Sequence, residues 1–143
     1  MGKPTLAQWS NAVKRWVKVF GLADWDVYCA VEKLNLNRYA QTNTDRINKQ
    51  ATVILNTDGM PDSHPENRDA GDESYTIYPI PFSRTACHEV LHILAADTGF
   101  EPHLQGLLDS LQKRKQEPLA KAVYESWERF IEMVARGVTR GDS

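Results

Sequence analysis

The sequence predicts an α+β domain, on three observations. Apolar residues recur at helical spacing near both ends of the chain. Between Trp25 and Asn56 they alternate or run together as in strands. From Thr85 to Ala96 an apolar run returns to the helical period. The expected architecture is an N-terminal helix, a small three- to four-stranded and mainly antiparallel sheet, a central helix, and two C-terminal helices. The 143 residues are long enough for one domain, 1–143, with a real core.

In order, Thr5 and Gln8 form a capping-box pattern ahead of Leu6, Trp9, Ala12, Val13, Trp16, Val17 and Phe20, and Gly21 is placed to stop the helix. Lys14, Arg15 and Lys18 fall on its outer, solvated face. Trp25, Val27, Cys29 and Val31 then alternate with Asp26, Tyr28, Ala30 and Glu32, so Cys29 reads as a core residue of a strand. Tyr39 to Thr44 is a weaker strand, Asp45 to Asn48 a connection, and Ala51 to Asn56 the strongest strand. A three-stranded antiparallel meander is the simplest pairing. Thr57 to Ser74 is an acidic loop, long enough to be a substrate-side flap or a plain insertion, with His64 as a surface residue within it. Tyr75 to Phe82, with Pro79 and Pro81, reads as extended or edge strand.

Ser83 is placed to cap the next helix, which runs to about Thr98 and ends at Gly99. Leu104, Leu107, Leu108 and Leu111 mark a helix from His103 to about Gln116. Pro118 opens the last helix, whose stripe is Val123, Trp127, Phe130, Ile131, Val134 and Val138.

Composition narrows the function classes. A net charge of −2 with 41% apolar and 25% charged residues is ordinary for a globular chain, and no basic stripe points to nucleic acid. Two cysteines, Cys29 and Cys87, build neither a disulfide framework nor a zinc ribbon. No apolar stretch approaches membrane-spanning length, and Met1-Gly2-Lys3-Pro4 leads into an amphipathic helix rather than a signal-peptide core. The expected setting is cytoplasmic, away from membranes.

The chemistry is concentrated in His88-Glu89-Val90-Leu91-His92. Two residues four apart on a helix lie about 40° apart around its axis, so both imidazoles can reach one metal ion. Glu89 beside them can handle a proton on metal-activated water, the H-E-x-x-H arrangement of zinc peptidases. Ala86, Cys87, Val90, Ile93 and Leu94 bury the opposite side. Thr85, Ala95, Ala96 and Gly99 leave an uncrowded flank around the histidines.

A catalytic zinc site takes three protein ligands and keeps one position open. The metzincin completion is excluded, because Ala95 and Thr98 stand where its glycine and third histidine would be. His103 is a candidate without a supporting pattern. Glu125, Glu128 and Glu132 lie in the last helix. By helical angle Glu128 borders the apolar stripe most closely, while Glu125 and Glu132 point further outward; Glu128 is the first choice and Glu125 the second. Cys87 points to the core and does not count as a ligand.

With His88, Glu89, His92 and a glutamate on a following helix, the chain resembles the gluzincin-like branch of zincin metallopeptidases. More narrowly it resembles the minimal SprT-like kind and short phage-encoded metallopeptidases. Gly21-Leu-Ala-Asp-Trp-Asp-Val27 leading into a strand, Ala51 to Asn56, the motif itself and Glu128-Arg-Phe-Ile-Glu-Met-Val-Ala135 carry the likeness. The resemblance implies a zincin-like fold, Zn2+ held by His88, His92 and a final-helix glutamate, Glu128, and a protein or peptide substrate. It also resembles the phage and mobile-element class that cleaves repressors. This chain has neither the zinc ribbon that DNA-linked SprT-like proteins commonly add nor an evident helix-turn-helix. The expected reaction is zinc-dependent peptide-bond hydrolysis with Glu89 as general base and Tyr75, Tyr78 or Tyr124 as oxyanion donors. Either Ala51 to Asn56 or Tyr75 to Ile80 would align the substrate. The rival expectation is a catalytically silent zinc-containing binding or regulatory protein, in which the metal staples the motif helix to the last one.

Overall fold

The computed structural model describes residues 5–34, 39–56 and 82–140. Within them the order is α1 (Leu6–Val19), β1 (Asp26–Glu32), β2 (Ala40–Asp45), β3 (Gln50–Asn56), α2 (Phe82–Asp97), α3 (Phe100–Lys113) and α4 (Glu117–Val138). This is an α+β arrangement with four helices and one three-stranded mixed sheet.

Helix α1 begins as its sequence dictates. Thr5 Oγ1 accepts from the Gln8 amide at 3.2 Å, and Gln8 Oε1 accepts from the Thr5 amide at 2.9 Å. The helix closes through Phe20 into Gly21, whose φ of +70° is one that a residue with a Cβ adopts only at a cost. Trp9, Val13 and Trp16 form its buried face, while Lys14, Arg15 and Lys18 are exposed as expected. Arg15 lies over the Trp16 ring, 4.7 Å from its centroid.

The sheet corrects the meander. Its order is β1-β3-β2, with β1 parallel to β3 and β2 antiparallel to it. The physical reason lies in β3. Its side chains are buried or half-buried at every position after Gln50, and such a strand belongs in the middle of a sheet. Once β3 is central, β2 joins it as a hairpin through residues 46–49. Asp45 organises that turn by accepting from the Asn48 amide and side chain at 3.2 and 2.8 Å. Strand β1 can then pair only on β3's far edge.

Helices α1 and α2 cover one face of the sheet side by side. Ala51, Val53 and Leu55 point into this layer, while Thr52 and Ile54 face the other way. The Trp9 indole donates to the Val53 carbonyl at 3.1 Å, pinning α1 to the central strand. Trp25 donates to Asp97 Oδ1 at 2.9 Å, tying the start of β1 to the end of α2.

The second flank of α2 is not open. Thr85, Ala95 and Ala96 are buried, and α3 and α4 pack against α2. The small side chains that suggested an uncrowded flank are there because another helix comes close. Two boundaries also move. Helix α2 begins at Phe82, so Ser83 lies within its first turn rather than capping it. Helix α3 begins at Phe100 after Gly99 (φ +82°), because Pro102 falls in the first turn, where its missing N–H breaks no helical bond. In α4 the buried residues are Ala120, Ile131 and Ala135, whereas Phe130 and Val138 are 56% and 45% exposed. In α3 only Leu108 is buried, and Leu107 is exposed. The acidic loop 57–74 with His64, and the extended segment from Tyr75 through Pro81, lie outside the described residues.

Candidate metal centre

Helix α2 presents His88 and His92 one turn apart, ring centroids 5.2 Å from each other. Both turn Nε2 toward Glu128 of α4. His88 Nε2 lies 3.3 Å from Glu128 Oε2, and His92 Nε2 lies 3.4 Å from Oε1. One donor atom from each of the three side chains falls within 4.8 Å of the others. Donors around a tetrahedral zinc at ordinary bond lengths stand roughly 3.3–3.5 Å apart. The two imidazole–carboxylate spacings are of that size, and two imidazoles with one carboxylate are donors zinc accepts. The residues fit the ion.

The far sides of the rings are also occupied. His88 Nδ1 is 2.7 Å from Glu132 Oε2, and His92 Nδ1 is 2.5 Å from Glu101 Oε1. Glu132 Oε1 in turn lies 3.0 Å from Nε of the buried Arg84, and Glu101 Oε1 accepts from the Trp127 indole at 3.1 Å. A carboxylate on Nδ1 favours the tautomer that leaves the Nε2 lone pair free for a metal.

The electrostatics follow from this crowd of carboxylates. Burial by itself pulls the His88 imidazole down. Hydrogen bonds to Glu128 and Glu132 and the charge of Glu89 outweigh it, holding the group well above its ordinary value. At His92 burial is likewise outweighed, by Glu101, Glu128 and the nearby charges, and the imidazole is raised to about 10. Burial raises Glu128, but its bonds to the two histidines win and hold its carboxyl far below the usual range. The two imidazoles are thereby biased toward keeping a second proton each. A divalent cation that displaces both leaves the cluster's total charge unchanged.

Glu89 is 7% exposed, and its Oε2 lies 3.9 Å from His88 Nε2. Its Oε1 is held from the sheet side by Thr42 of β2, whose hydroxyl lies 2.8 Å from it and 3.2 Å from the Glu89 carbonyl. The carboxylate thus has one oxygen restrained and the other directed toward the histidines.

Of the residues singled out in the sequence, His88, Glu89, His92 and Glu128 converge. Glu125 does not; its side chain is 60% exposed beside Lys121. His103 is exposed and outside the cluster, Cys87 is fully buried in the apolar core, and Tyr124 is 42% exposed. Tyr75 and Tyr78 lie outside the described residues.

Sequence reasoning missed Glu132, Glu101, Thr42, Arg84 and Trp127. The sequence points Glu132 outward because its apolar stripe in α4 centres on Val134 and Val138. The face that packs centres nearer Ile131 and Ala135, about 60° around the helix. The signal was present: Glu128 and Glu132 repeat the four-residue spacing of His88 and His92. Nothing in the local sequence marks Glu101 or Thr42.

No helix among the described residues is long and apolar enough to cross a membrane. No family model, curated protein or solved structure matches the chain.

Proposed function

We propose that this protein is a zinc-dependent metallopeptidase of the minimal, gluzincin-like zincin kind, acting on a protein or peptide substrate. The observation that carries the reading is the convergence of His88 Nε2, His92 Nε2 and the Glu128 carboxylate from two helices, with Glu89 Oε2 beside them. His88, His92 and Glu128 would hold the ion. Zinc in such a site lowers the pKa of water toward neutrality and polarises a carbonyl oxygen.

Glu89 is suited to accept a proton from the attacking water and return it to the departing amine. Thr42 restrains one Glu89 oxygen and so limits the orientations the other can take. The central strand β3 has both edges paired and cannot take a substrate strand. The outer edge of β2 is unpaired among the described residues and lies on the Glu89 side of the sheet through Thr42. An extended peptide aligned along β2 is the docking mode that these facts favour.

The rival reading, a closed structural zinc site, needs a fourth protein ligand; the cluster found among the described residues has three donors. It also leaves Glu89 without a task. The test is cleavage of a denatured-protein or proteome-derived peptide mixture with zinc present. Glu89→Gln is expected to keep bound zinc and to lower turnover by at least ~10²-fold. Undiminished cleavage by that variant overturns the mechanism.

A further inference from the structure

The metal reading explains why three donors meet, but not why each histidine carries a half-buried carboxylate on its other nitrogen. Those carboxylates come from different helices and are secured differently. Glu132 of α4 joins His88 Nδ1 to Arg84, which returns to α2 one turn before His88. Glu101 of α3 joins His92 Nδ1 to the indole of Trp127 on α4. Trp127 is itself wedged between Phe100 and Phe130, with ring centroids 4.7 and 5.8 Å away. Each imidazole is therefore held at one nitrogen by a carboxylate whose second contact comes from a further side chain.

We infer that Glu101 and Glu132 are positioning residues of the metal centre, with Arg84 and Trp127 holding them in place. Each carboxylate fixes the rotation and tautomer of one imidazole so that Nε2 faces Glu128. Neither is a ligand, since each spends its near oxygen on an Nδ1 that points away from the three-donor cluster. Because the carboxylates come from α3 and α4, the two C-terminal helices set the ligand geometry as well as supplying Glu128. The inference rests on the metal reading and deepens it.

Two kinds of contact make the two tethers separable. Arg84 is a positive charge close to where a cation would sit. If it acted only through its charge, Arg84→Met would tighten metal binding. If it acts by holding Glu132, the same change weakens binding. Trp127→Phe keeps a ring between Phe100 and Phe130 and removes only the donor to Glu101, so it tests the second tether with little disturbance of packing.

The experiment measures zinc affinity by chelator competition and the visible spectrum of the cobalt(II)-loaded chain, with metal-free melting as the control for folding. In the wild type one zinc per chain is expected. Glu132→Ala and Glu101→Ala should each weaken binding about 10–100-fold and shift the cobalt bands. The Gln variants, which keep an acceptor oxygen, should fall between Ala and wild type. Arg84→Met and Trp127→Phe should weaken binding by a smaller factor. A purely structural role would lower melting while leaving the cobalt spectrum unchanged, and that result overturns the inference. So do variant affinities equal to wild type, or tighter binding by Arg84→Met. If an Ala variant fails to fold, the Gln and Trp127→Phe arms decide. Wild-type protein that binds no zinc overturns the metal reading itself, which separates the two failures.

Discussion

The two faces of helix α2 are held by opposite kinds of chemistry. Toward α1 and the sheet it buries Ala86, Cys87, Val90 and Ile93, each fully inaccessible, against Trp9, Val13 and Val53. Toward α3 and α4 the buried apolar partners are fewer, Leu108, Ala120, Ile131 and Ala135, with Trp127 and Val134 partly buried beside them. The space between is filled by Arg84, two histidines and the carboxylates of Glu101, Glu128 and Glu132. The first face works by removing hydrocarbon from water, which is non-directional and needs no partner ion. The second face gathers like charges, which favour separation unless protons or a cation compensate them. One face holds the fold by apolar burial; the other is where, on the proposed reading, a cation would be held.

If that contrast is right, damage to the two faces should separate into stability and metal affinity. The largest stability effect is expected from Trp9→Ala, which empties a fully buried site and removes the indole bond to Val53. It should cost about 3–5 kcal/mol in denaturant unfolding. Zinc stoichiometry in the cold should not change. Loss of zinc binding without loss of stability would break the comparison.

Glu128→Ala should do the reverse. It removes one of the three proposed ligands, so zinc affinity should fall by more than the ~10–100-fold typical of outer partners. Chelator competition reads this directly, and unchanged affinity would refute Glu128 as a ligand. Glu125→Ala, one turn away but exposed, is the matched control and should shift stability by no more than about 0.5 kcal/mol, with zinc affinity unaltered.

The pH dependence sharpens the point. Zinc must displace protons from both raised imidazoles, so its affinity should climb with pH. The climb could reach about a hundredfold per unit while both are protonated. It should level off as pH passes through the His92 value of about 10. Calorimetry in buffers of different ionisation enthalpy would count the released protons, and a flat affinity profile would contradict the cluster's charge balance. For the metal-free chain the sign is opposite. The folded-state pKa of His92 lies above its ordinary 6.5, so the stability it lends is full below about that pH and is lost as pH rises through about 10.

How much of this was legible beforehand varies by element. The capping box at Thr5, the alternation from Asp26, the apolar run in β3 and Pro118 near the start of α4 are local signals, and each produced its element nearly where expected. The pentapeptide His88 to His92 gave its own geometry, because one helical turn sets the spacing of the two imidazoles. Strand pairing was misread because antiparallel and parallel partners need the same kind of residues. Only the central position of β3 tells them apart. The exposed Phe130 and Val138 misplaced the buried face of α4 and with it Glu132.

By itself, the sequence determined the helices and strands, the one-turn spacing of His88 and His92 with Glu89 beside them, and Glu128 as the residue of the last helix that meets them. All of these depend on residues within a few turns of one another or on the periodicity of one helix. Tertiary structure alone decided the mixed sheet, the covering of both flanks of α2, and the partners Thr42, Glu101 and Glu132 around the pentapeptide. Those contacts span 47, 9 and 44 positions of chain. No local propensity encodes such distances; they arise when apolar burial on one side of α2 brings the polar side of three other elements to the same point.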